Sequence, residues 1–303
     1  MSQSNGNNIL TALSDSMADA VEKAGAATVL VDGRRRLPAS GIAFASDLVL
    51  TANHVLEREE EIPVMLPDGS QLTANLAGRD PGSDLAVLRL GNAAAAVAEP
   101  APQEARVGQL ALALGRPSSE GIQASLGVVS AVGGPVRTGH GGLLERYIRT
   151  DSISYPGFSG GPLVAADGTV LGINTSGLAN GAAITIPADI AWKIAETLIK
   201  HGRIKRGYLG IRSQTVEVSE ASHKALKREQ ATGLLIVGVE NDSPASKGGL
   251  IVGDILVAVA GVPVLHHDEL FTRLNGDMAG KSTPIEILRG GQPKTLNVPI
   301  GER

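Results

Sequence analysis

Hydrophobic residues near the start of the chain recur at helical spacing. Within residues 9–24 they lie mostly three or four positions apart, at Ile9, Leu10, Leu13, Met17, Ala20 and Val21. This period places them on one face of an α-helix. We therefore predict that the N-terminal segment, residues 1–25, contains a short amphipathic helix. Its apolar face is expected to pack on the rest of the protein or on another subunit.

After Ala26 the pattern changes to short apolar runs of β type separated by turn residues. No helical pattern interrupts them, which is typical of an all-β sandwich or barrel. A helix is predicted at residues 189–200, with Asp189 as its cap and Gly202 after its last turn. We therefore predict one domain over residues 26–200, with strands at Thr28–Val31, Gly41–Phe44, Leu48–Thr51, Ile62–Leu66, Leu85–Leu90, Leu110–Leu114, Gly127–Ala131, Tyr147–Thr150, Gly161–Val164, Val170–Ile173 and Ala183–Ile186.

A second, smaller unit follows a short basic stretch. This stretch, HGRIKR at residues 201–206, is predicted to be a linker. Residues 207–303 hold apolar runs and helical patterns that indicate a small α+β domain. Its helices are expected at Ser219–Arg228 and His267–Asn275, and its strands near Gly207–Ile211, Leu234–Val239, Ile255–Val259, Ile285–Leu288 and Thr295–Val298.

The composition narrows the class of protein. Hydrophobic residues make up 43% and charged residues 19% of the 303 positions, which is typical of a soluble globular protein. A net charge of -4 gives no reason to expect nucleic acid as a partner, and we interpret the run Arg34-Arg35-Arg36 as a solvated loop tip. The absence of Cys excludes disulfides, Cys-ligated metals and a Cys nucleophile.

The N-terminal residues and the hydropathy bear on location. The first residues, MSQSNGNNIL, have neither the basic region nor the apolar region of a signal peptide. No stretch approaches the 18 continuous apolar residues of a membrane span. We therefore expect no membrane span and a cytoplasmic location, or a periplasmic or other extracytoplasmic location if a leader was removed.

Three short motifs carry side chains suited to acyl transfer by a serine. They are TANHV at residues 51–55, SDLAVLRL at residues 83–90 and PGFSGGPLV at residues 156–164. This chemistry needs a hydroxyl that attacks, an imidazole that takes its proton and a carboxylate that orients the imidazole. Ser159, His54 and Asp84 supply these groups in the chain order His–Asp–Ser.

The glycine-rich turn around Ser159 is also suited to bind the negative charge that develops on the substrate. An oxyanion needs backbone N–H donors aimed at one point, and glycines let the backbone approach the substrate closely. We therefore predict that the amides of Gly157 and Ser159 form an oxyanion hole. Each motif alone is a common feature of strand edges, so the prediction rests on their joint occurrence and their order.

Together these motifs resemble the triad motifs of chymotrypsin-fold serine proteases. The separations of 30 residues from His54 to Asp84 and 75 from Asp84 to Ser159 are similar to those of the HtrA (Deg) branch, as are the stretches GVVSAV, IRTDSISYPG, VLGINTSG and AITIPADIA. The resemblance implies a mostly β protein with a chymotrypsin-like double β-barrel and the triad in the cleft between the barrels. It also implies a serine endopeptidase that works through an acyl-enzyme and needs no metal or organic cofactor.

The second unit resembles a PDZ domain of the circularly permuted bacterial kind. The stretch RGYLGI, residues 206–211, is similar to the carboxylate-binding loop and its following strand. The stretch VENDSPASKGGLIVGDILVAVAGVPV, residues 239–264, is similar to the core of that module. The resemblance implies that this domain binds C-terminal peptides.

The expected PDZ site has three parts. The backbone amides of Tyr208, Leu209 and Gly210 are expected to bind a C-terminal carboxylate, and the strand edge at Ile211 is expected to pair with an extended peptide. On the second helix, two leucines one turn apart either line the groove or are ordinary core residues, and they are Leu270 and Leu274.

Two positions beside Ser159 depart from the family pattern. HtrA proteins usually have Asn at both, whereas this chain has Tyr155 and Phe158. A bulky apolar ring must be buried among the surrounding loops, and this locks the oxyanion hole either formed or collapsed. A locked or inactive protease acting as a peptide-binding scaffold or chaperone is therefore the alternative function. An esterase of the α/β-hydrolase type is disfavoured, because its usual chain order is Ser–Asp–His within alternating βα units.

The resemblance also implies a substrate pocket. In this fold the primary pocket is shaped by residues just before the serine and by the strand at 172–176, so the predicted lining is Ile153, Asn174, Thr175 and Ser176. No acidic residue lies at 152–158, so we expect a small or medium apolar side chain such as Val, Ala or Leu at the cleaved position. Partly unfolded proteins expose such side chains, which suits a role in protein quality control.

A homotrimer is the assembly that the resemblance implies. The stretch between the first two strands, DGRRRLPASG, is short, which argues against large cage assemblies. Family trimers often use N-terminal aromatic residues to hold the subunits together, and no aromatic residue precedes Phe44 here. We hypothesise that the amphipathic helix at residues 9–24 takes that role.

Overall fold

The computed structural model describes residues 4–91, 96–138, 142–179, 182–274 and 278–302. The chain divides into two compact units, Met1–Ile204 and Lys205–Arg303. Each unit has its own hydrophobic core. The predicted fold class is confirmed, because two closed barrels are followed by a small α+β unit. Among the described residues, no helix is long and apolar enough to cross a membrane.

The predicted N-terminal helix is present as α1 (Ser4–Gly25). Its second half packs on the core of the first unit through Met17, Ala20, Val21 and Ala24. In its first half, Ile9 and Leu10 remain 70% and 68% exposed. The apolar face of α1 therefore packs on its own unit only near the C-terminal end of the helix.

Six antiparallel strands close the first barrel. Their order around it is β1-β2-β3-β6-β5-β4, and β1 pairs with β4 to complete the ring. A 3-10 turn at Asn53–Val55 follows β3. Inward-facing Val and Leu side chains fill the interior. The strands are β1 (Thr28–Val31), β2 (Ala39–Ala45), β3 (Leu48–Ala52), β4 (Ile62–Met65), β5 (Gln71–Asp80) and β6 (Leu85–Leu90).

Six further strands close the second barrel in the order β11-β14-β13-β12-β7-β8, and β9 and β10 form a separate hairpin. All pairs within this barrel are antiparallel. The strands are β7 (Leu110–Gly115), β8 (Gln123–Gly133), β9 (Val136–Arg137), β10 (Leu143–Leu144), β11 (Tyr147–Thr150), β12 (Pro162–Val164), β13 (Val170–Ala179) and β14 (Ala182–Pro187).

Helix α2 (Ala188–His201) follows the second barrel and ends at Gly202, which has a φ of 73°. The prediction that Asp189 caps this helix is wrong, because Asp189 lies inside the first turn and Pro187 occupies the cap position. The Asp189 carboxylate instead pairs with the guanidinium of Arg146.

A hydrophobic cluster joins the two barrels, in addition to the separate cluster inside each of them. Helix α2 contributes buried residues to it and packs on strands β5, β6 and β13. The shared cluster includes Ile42 and Leu50 from the first barrel, Ile173 and Ile186 from the second, and Ala191, Ala195 and Leu198 from α2. Side chains that lie between the barrels are therefore supported from both sides.

The second unit contains a sheet in the order β16-β17-β18-β20-β21, with β19 paired to β18, and a small pair β15-β22. Its elements are β15 (Gly207–Tyr208), β16 (Ile211–Glu217), α3 (Glu220–Leu226), β17 (Thr232–Val239), α4 (Pro244–Lys247), β18 (Ile255–Val259), β19 (Val262–Pro263), α5 (His267–Arg273), β20 (Ser282–Arg289), β21 (Gln292–Pro299) and β22 (Gly301–Glu302).

Several predicted boundaries in this part of the chain differ from the structure. The single strand expected at Gly207–Ile211 is two strands, because Gly210 has a φ of 78° and turns the chain. Helix α3 ends at Leu226 rather than Arg228. The predicted end of the next helix, Asn275, lies outside the described residues. Of the predicted linker, His201 belongs to α2 and Ile204 packs on the core of the first unit.

Candidate active site

His54 lies in the 3-10 turn that follows β3. The turn is tied to the head of β6, because the Asn53 amide donates to the Asp84 carbonyl over 2.9 Å. Its other side is bound by Arg79, whose Nε donates to Asn53 Oδ1 over 2.6 Å. These contacts hold the backbone of His54 in place, and the His54 side chain is 28% exposed.

Asp84 is almost completely buried at 1% exposure and has a φ of 55°. Asp tolerates this left-handed conformation better than most residues do. Its Oδ1 accepts the His54 amide over 2.9 Å, and its Oδ2 lies 2.7 Å from His54 Nδ1. The Thr175 hydroxyl donates to the same Oδ2. A carboxylate only accepts, so this contact fits a neutral imidazole that donates from Nδ1 and leaves Nε2 as an acceptor.

Ser159 follows a tight turn between β11 and β12. The Phe158 amide donates to the Tyr155 carbonyl over 3.0 Å, with Pro156 and Gly157 between them. The φ of 88° at Gly157 makes this a type II turn. This conformation strongly favours glycine at the third position of the turn.

Most carbonyls and amides of this turn are bonded to the protein. Ser40 binds two carbonyls, since its hydroxyl donates to Gly157 O over 2.7 Å and its amide to Ser159 O over 3.1 Å. The amides of Phe158, Gly160 and Gly161 donate to backbone carbonyls. Within the described residues, the amides of Gly157 and Ser159 donate to no protein acceptor. These two donors are therefore available to a ligand.

The Ser159 hydroxyl and the His54 imidazole line one cavity of about 250 Å³. In the described structure the hydroxyl lies 3.3 Å from Ser176 Oγ and makes no hydrogen bond with His54. A rotation about the Cα–Cβ bond of Ser159 moves the hydroxyl between staggered positions without moving the backbone. Loose contacts of this kind are common in the absence of substrate and tighten when substrate is present.

Phe158 is completely buried in the core of the second barrel, among residues such as Leu163 and Ile148. Its ring lies against Gly115, where a Cβ atom would come within 2.5 Å of Phe158 Cδ1. The ring of Tyr155 packs edge-on against it, with the centroids 5.4 Å apart. The two departures from the family pattern are therefore one packed pair, and it holds the turn before Ser159.

The four predicted pocket residues have different surroundings. Ser176 lines the cavity, whereas Ile153 is 58% exposed and lies outside the lining. Asn174 is buried and uses its amide to bond the Pro162 carbonyl over 2.9 Å. Thr175 is buried behind Asp84. Of these residues only Ser176 faces the space beside Ser159, and the primary pocket itself stays a prediction.

Three site residues were not found from the sequence. Thr175 was assigned to the pocket rather than to Asp84, and Ser40 was not singled out. Arg34 lies on the predicted loop tip, but it is half-buried and also lines the cavity. Its neighbours Arg35 and Arg36 are exposed as expected. No local motif marks any of the three, since the contacts of Thr175 and Ser40, and the cavity that Arg34 lines, join distant segments of the chain.

In the second unit the predicted carboxylate-binding loop joins β15 to β16. Leu209 is buried in the core, and a Cβ atom on Gly210 would lie 2.3 Å from Ser243 Cβ. The Tyr208 hydroxyl donates to the Glu240 carboxylate. Among the described residues, the amides of Leu209 and Gly210 have no protein acceptor. This loop therefore also presents adjacent free donors.

The rest of the predicted PDZ site divides between the sheet edge and the core. Ile211 begins β16, which is an edge strand of the sheet as described. Leu270 and Leu274 are both buried members of the core cluster. This burial fits the second of the two expectations for them, that they are core residues of their helix. Across from the strand, His267 Nε2 lies 3.1 Å from the Ser213 carbonyl.

Comparisons with known proteins agree with this geometry. Residues 39–173 match the family described as trypsin-like peptidase domain, and residues 207–300 match the PDZ domain family. A relative from Pseudomonas putida, named probable periplasmic serine endoprotease DegP-like, is 35% identical over 269 residues, which cover 86% of this chain and 55% of the relative. The chain thus spans about half the length of the curated relatives it matches.

Solved structures match nearly the whole chain. The serine endoprotease from Yersinia pestis is 30% identical with a TM-score of 0.76, and the match covers 95% of this chain and 98% of that one. The HtrA-type protease AlgW with a decapeptide is 27% identical with a TM-score of 0.75, again covering 95% and 98% of the two chains. Both matches extend over the barrels and the second unit.

Proposed function

Because this chain belongs to the HtrA (Deg) family of serine proteases, we propose that it is an active serine endopeptidase that cleaves partly unfolded proteins. The observation that carries the proposal is the set of groups around one cavity. A buried carboxylate orients His54, Ser159 lies beside it, and two backbone amides have no protein acceptor. This combination supplies a base, a nucleophile and donors for an oxyanion.

In the proposed reaction, Ser159 Oγ attacks the carbonyl carbon of the scissile bond while His54 Nε2 takes its proton. The N–H groups of Gly157 and Ser159 bind the oxyanion of the tetrahedral intermediate. His54 then gives the proton to the leaving amine, and an acyl-enzyme forms at Ser159. Water, activated by the same imidazole, releases the acyl group and restores the hydroxyl.

Asp84 is assigned the role of orienting His54 and stabilising its protonated form. Two contacts to the histidine and one from Thr175 support this role. The Thr175 hydroxyl occupies a lone pair of the carboxylate and thereby keeps Oδ2 directed at Nδ1. Thr175 is a positioning residue in this scheme, because it acts on the reaction only through Asp84.

The second unit is proposed to bind C-terminal peptides and to deliver or regulate substrates. The match to the PDZ family and the unbonded amides of Leu209 and Gly210 support this role. Two backbone donors in one turn suit a terminal carboxylate, and the edge of β16 suits an extended peptide. We propose Leu270 and Leu274 as core supports of the groove, because both are buried.

Location and assembly are also proposals. The relatives with DegP-like names are named periplasmic, so we propose an extracytoplasmic location, and the cytoplasmic expectation has no support from them.

A homotrimer follows from the family resemblance. The exposed apolar residues at the start of α1, Ile9 and Leu10, suit contacts between subunits. Small or medium apolar residues are the proposed side chains at the cleaved position.

The alternative of a locked scaffold is not favoured. Phe158 is anchored in the barrel core, and its turn leaves the amides of Gly157 and Ser159 without protein acceptors. A collapsed hole is expected to turn at least one of these donors toward a protein carbonyl. The burial of Phe158 thus supports a turn held in a form that is able to bind an oxyanion.

The test is degradation of an unfolded protein such as casein by the purified wild type and by Ser159→Ala, each with and without a hydrophobic C-terminal peptide. We expect cleavage by the wild type, and removal of the nucleophile is expected to leave only a trace of the rate. Acceleration by the peptide would make the PDZ domain a regulator. Equal cleavage by both proteins, or none by either under all conditions, would contradict the proposed function.

A further inference from the structure

The active-site cavity carries a positive charge that the proposed reaction does not use. Arg34 lines the cavity together with His54, Gly157 and Ser159. No Asp or Glu lies among the described residues of the lining. A cationic side chain in a partly enclosed, carboxylate-free space attracts anionic groups of a ligand.

The side chain of Arg34 is oriented but not neutralised. Its Nε donates to the Leu37 carbonyl over 2.7 Å, which fixes the base of the guanidinium. In the described part of the chain, no carboxylate pairs with Arg34, and its terminal nitrogens have no acceptor. A guanidinium held in this way has free N–H donors whose planar geometry matches the two oxygens of a carboxylate.

The loop that carries Arg34 runs from the histidine turn to the serine turn. At its start, the Glu57 amide donates to the Gly33 carbonyl over 2.8 Å, so the loop adjoins the segment after His54. At its end, the Pro38 carbonyl lies 2.9 Å from the position that a Cβ atom on Gly157 would occupy. His54 donates its proton to the leaving amine. The loop therefore lies beside the leaving part of the substrate.

We propose that Arg34 selects substrates with an acidic side chain, Asp or Glu, at the first or second residue after the scissile bond. The inference rests on the proposed endopeptidase function and adds a specificity determinant to it. A carboxylate forms an ion pair and two parallel hydrogen bonds with a guanidinium, whereas the isosteric amide of Gln or Asn is neutral and offers a single oxygen as a weaker acceptor. The preference is electrostatic, so it weakens as the ionic strength rises.

The test compares quenched fluorescent peptides that differ only in Glu or Gln at the first or second position after the scissile bond. Each peptide has Val or Ala at the cleaved position and an amidated C-terminus, so that the side chain is its only added carboxylate. The enzymes are the wild type, Arg34→Gln, Arg34→Glu and Arg36→Gln. The last removes the same charge from the same loop at an exposed position outside the cavity lining.

For the wild type we expect kcat/KM to be roughly 5- to 20-fold higher with Glu than with Gln at the favoured position, and the ratio to fall with added salt. Arg34→Gln should bring the ratio to about 1, and Arg34→Glu should invert it, while Arg36→Gln keeps the wild-type ratio. A second set of peptides has Gln in place of Glu and a free C-terminal carboxylate at the same distance from the scissile bond. These peptides show whether a chain terminus substitutes for the acidic side chain.

An unchanged ratio in Arg34→Gln, or an equal loss in Arg36→Gln, would overturn this inference while the endopeptidase function stands. A preference only for the free C-terminus would likewise overturn the assignment to an acidic side chain. If the wild type cleaves neither these peptides nor casein, the endopeptidase function is overturned, and this inference falls with it.

Discussion

His54 and Asp84 of the first barrel are joined by two hydrogen bonds of 2.7 and 2.9 Å, whereas the hydroxyl of Ser159 has one contact of 3.3 Å, to Ser176. The acid–base pair is thus held by side-chain hydrogen bonds. The turn before Ser159 is held instead by hydrogen bonds to its own backbone, one of them from the Ser40 hydroxyl, and by the burial of Phe158.

This difference suggests how the site is assembled. Side-chain hydrogen bonds fix the direction of an imidazole, which must not change during the reaction. Backbone anchors fix two amides and leave the Ser159 side chain able to rotate toward its base. Substitutions at His54 or Asp84 are therefore expected to lower catalysis without moving the backbone. Substitutions around the turn before Ser159 are expected to displace that turn.

The largest effect is expected from Asp84→Asn. The substitution keeps the size of the side chain and tolerates the φ of 55°, so the fold should survive. The amide is able to donate to Nδ1, which favours the wrong tautomer of His54. We expect kcat on a peptide substrate to fall by roughly 10³- to 10⁴-fold with an unchanged melting temperature. A fall of less than about tenfold would contradict the role given to Asp84.

An intermediate effect is expected from Gly115→Ala in the second barrel. The added Cβ would lie 2.5 Å from Phe158 Cδ1, so the ring and the turn before Ser159 must shift. We expect about 1–3 kcal/mol of lost stability from overpacking, and a fall in kcat/KM of about 10- to 100-fold. Thermal unfolding and peptide hydrolysis measure the two effects.

A second substitution separates displacement of the turn from general damage. Gly115→Ala combined with Phe158→Leu removes the clash by shortening the side chain, and it should recover part of the lost activity. Gly108→Ala serves as a comparison, because a Cβ there meets nothing within 4 Å although its φ is 86°. Equal losses of activity in Gly115→Ala and Gly108→Ala would show that Phe158 does not hold the turn.

The smallest effect is expected from Thr175→Val, which removes the third contact to the Asp84 carboxylate. A hydrogen bond to a charged group contributes about 1.5–3 kcal/mol, but Thr175 acts on the reaction only through Asp84, so kcat should fall by about 3- to 10-fold. The pH profile of kcat/KM should shift, because the carboxylate that stabilises protonated His54 changes.

Thr185→Val is the matched control for this substitution. Thr185 donates to Asn174 Oδ1 over 2.7 Å and does not contact Asp84. The Thr185→Val substitution should lower the melting temperature without shifting the pH profile of kcat/KM. If the pH profile of kcat/KM shifts equally in Thr175→Val and Thr185→Val, Thr175 has no positioning role.

Much of the fold could be predicted because its elements follow local patterns. Buried strands such as Leu48–Ala52 are continuous apolar runs, and α1 has a helical period. The strand Gln71–Asp80 was not predicted, because it is partly exposed and polar residues interrupt its few large apolar ones. The cap of α2 was misplaced by two residues, since propensity alone does not distinguish a cap from a first-turn carboxylate.

The site divides in the same way. The proposed catalytic residues His54, Asp84 and Ser159 could be named from the sequence because each lies in its own short motif, and the order of the motifs added information. Thr175 contacts Asp84 across 91 positions of the chain, and Ser40 binds the turn at Gly157 across 117. Such contacts follow from barrel closure and leave no local signal.

Phe158 also shows what could not be predicted from the sequence. The sequence indicated that the ring must be buried and left open whether the oxyanion hole is formed or collapsed. The answer depends on Gly115, a residue of β7 whose missing side chain makes room for the ring. A single sequence does not reveal that these two positions are complementary.

Because hydrogen bonds and the burial of Phe158 hold the turn before Ser159, we expect the nucleophile and its oxyanion donors to be assembled before any peptide binds to the second unit. Reaction of the protein with a fluorophosphonate in the absence of any peptide, followed by mapping of the adduct by mass spectrometry, tests it directly. We expect one adduct per chain, on Ser159, that forms much more slowly in Asp84→Asn. No adduct without added peptide, or an adduct on another residue, would contradict it.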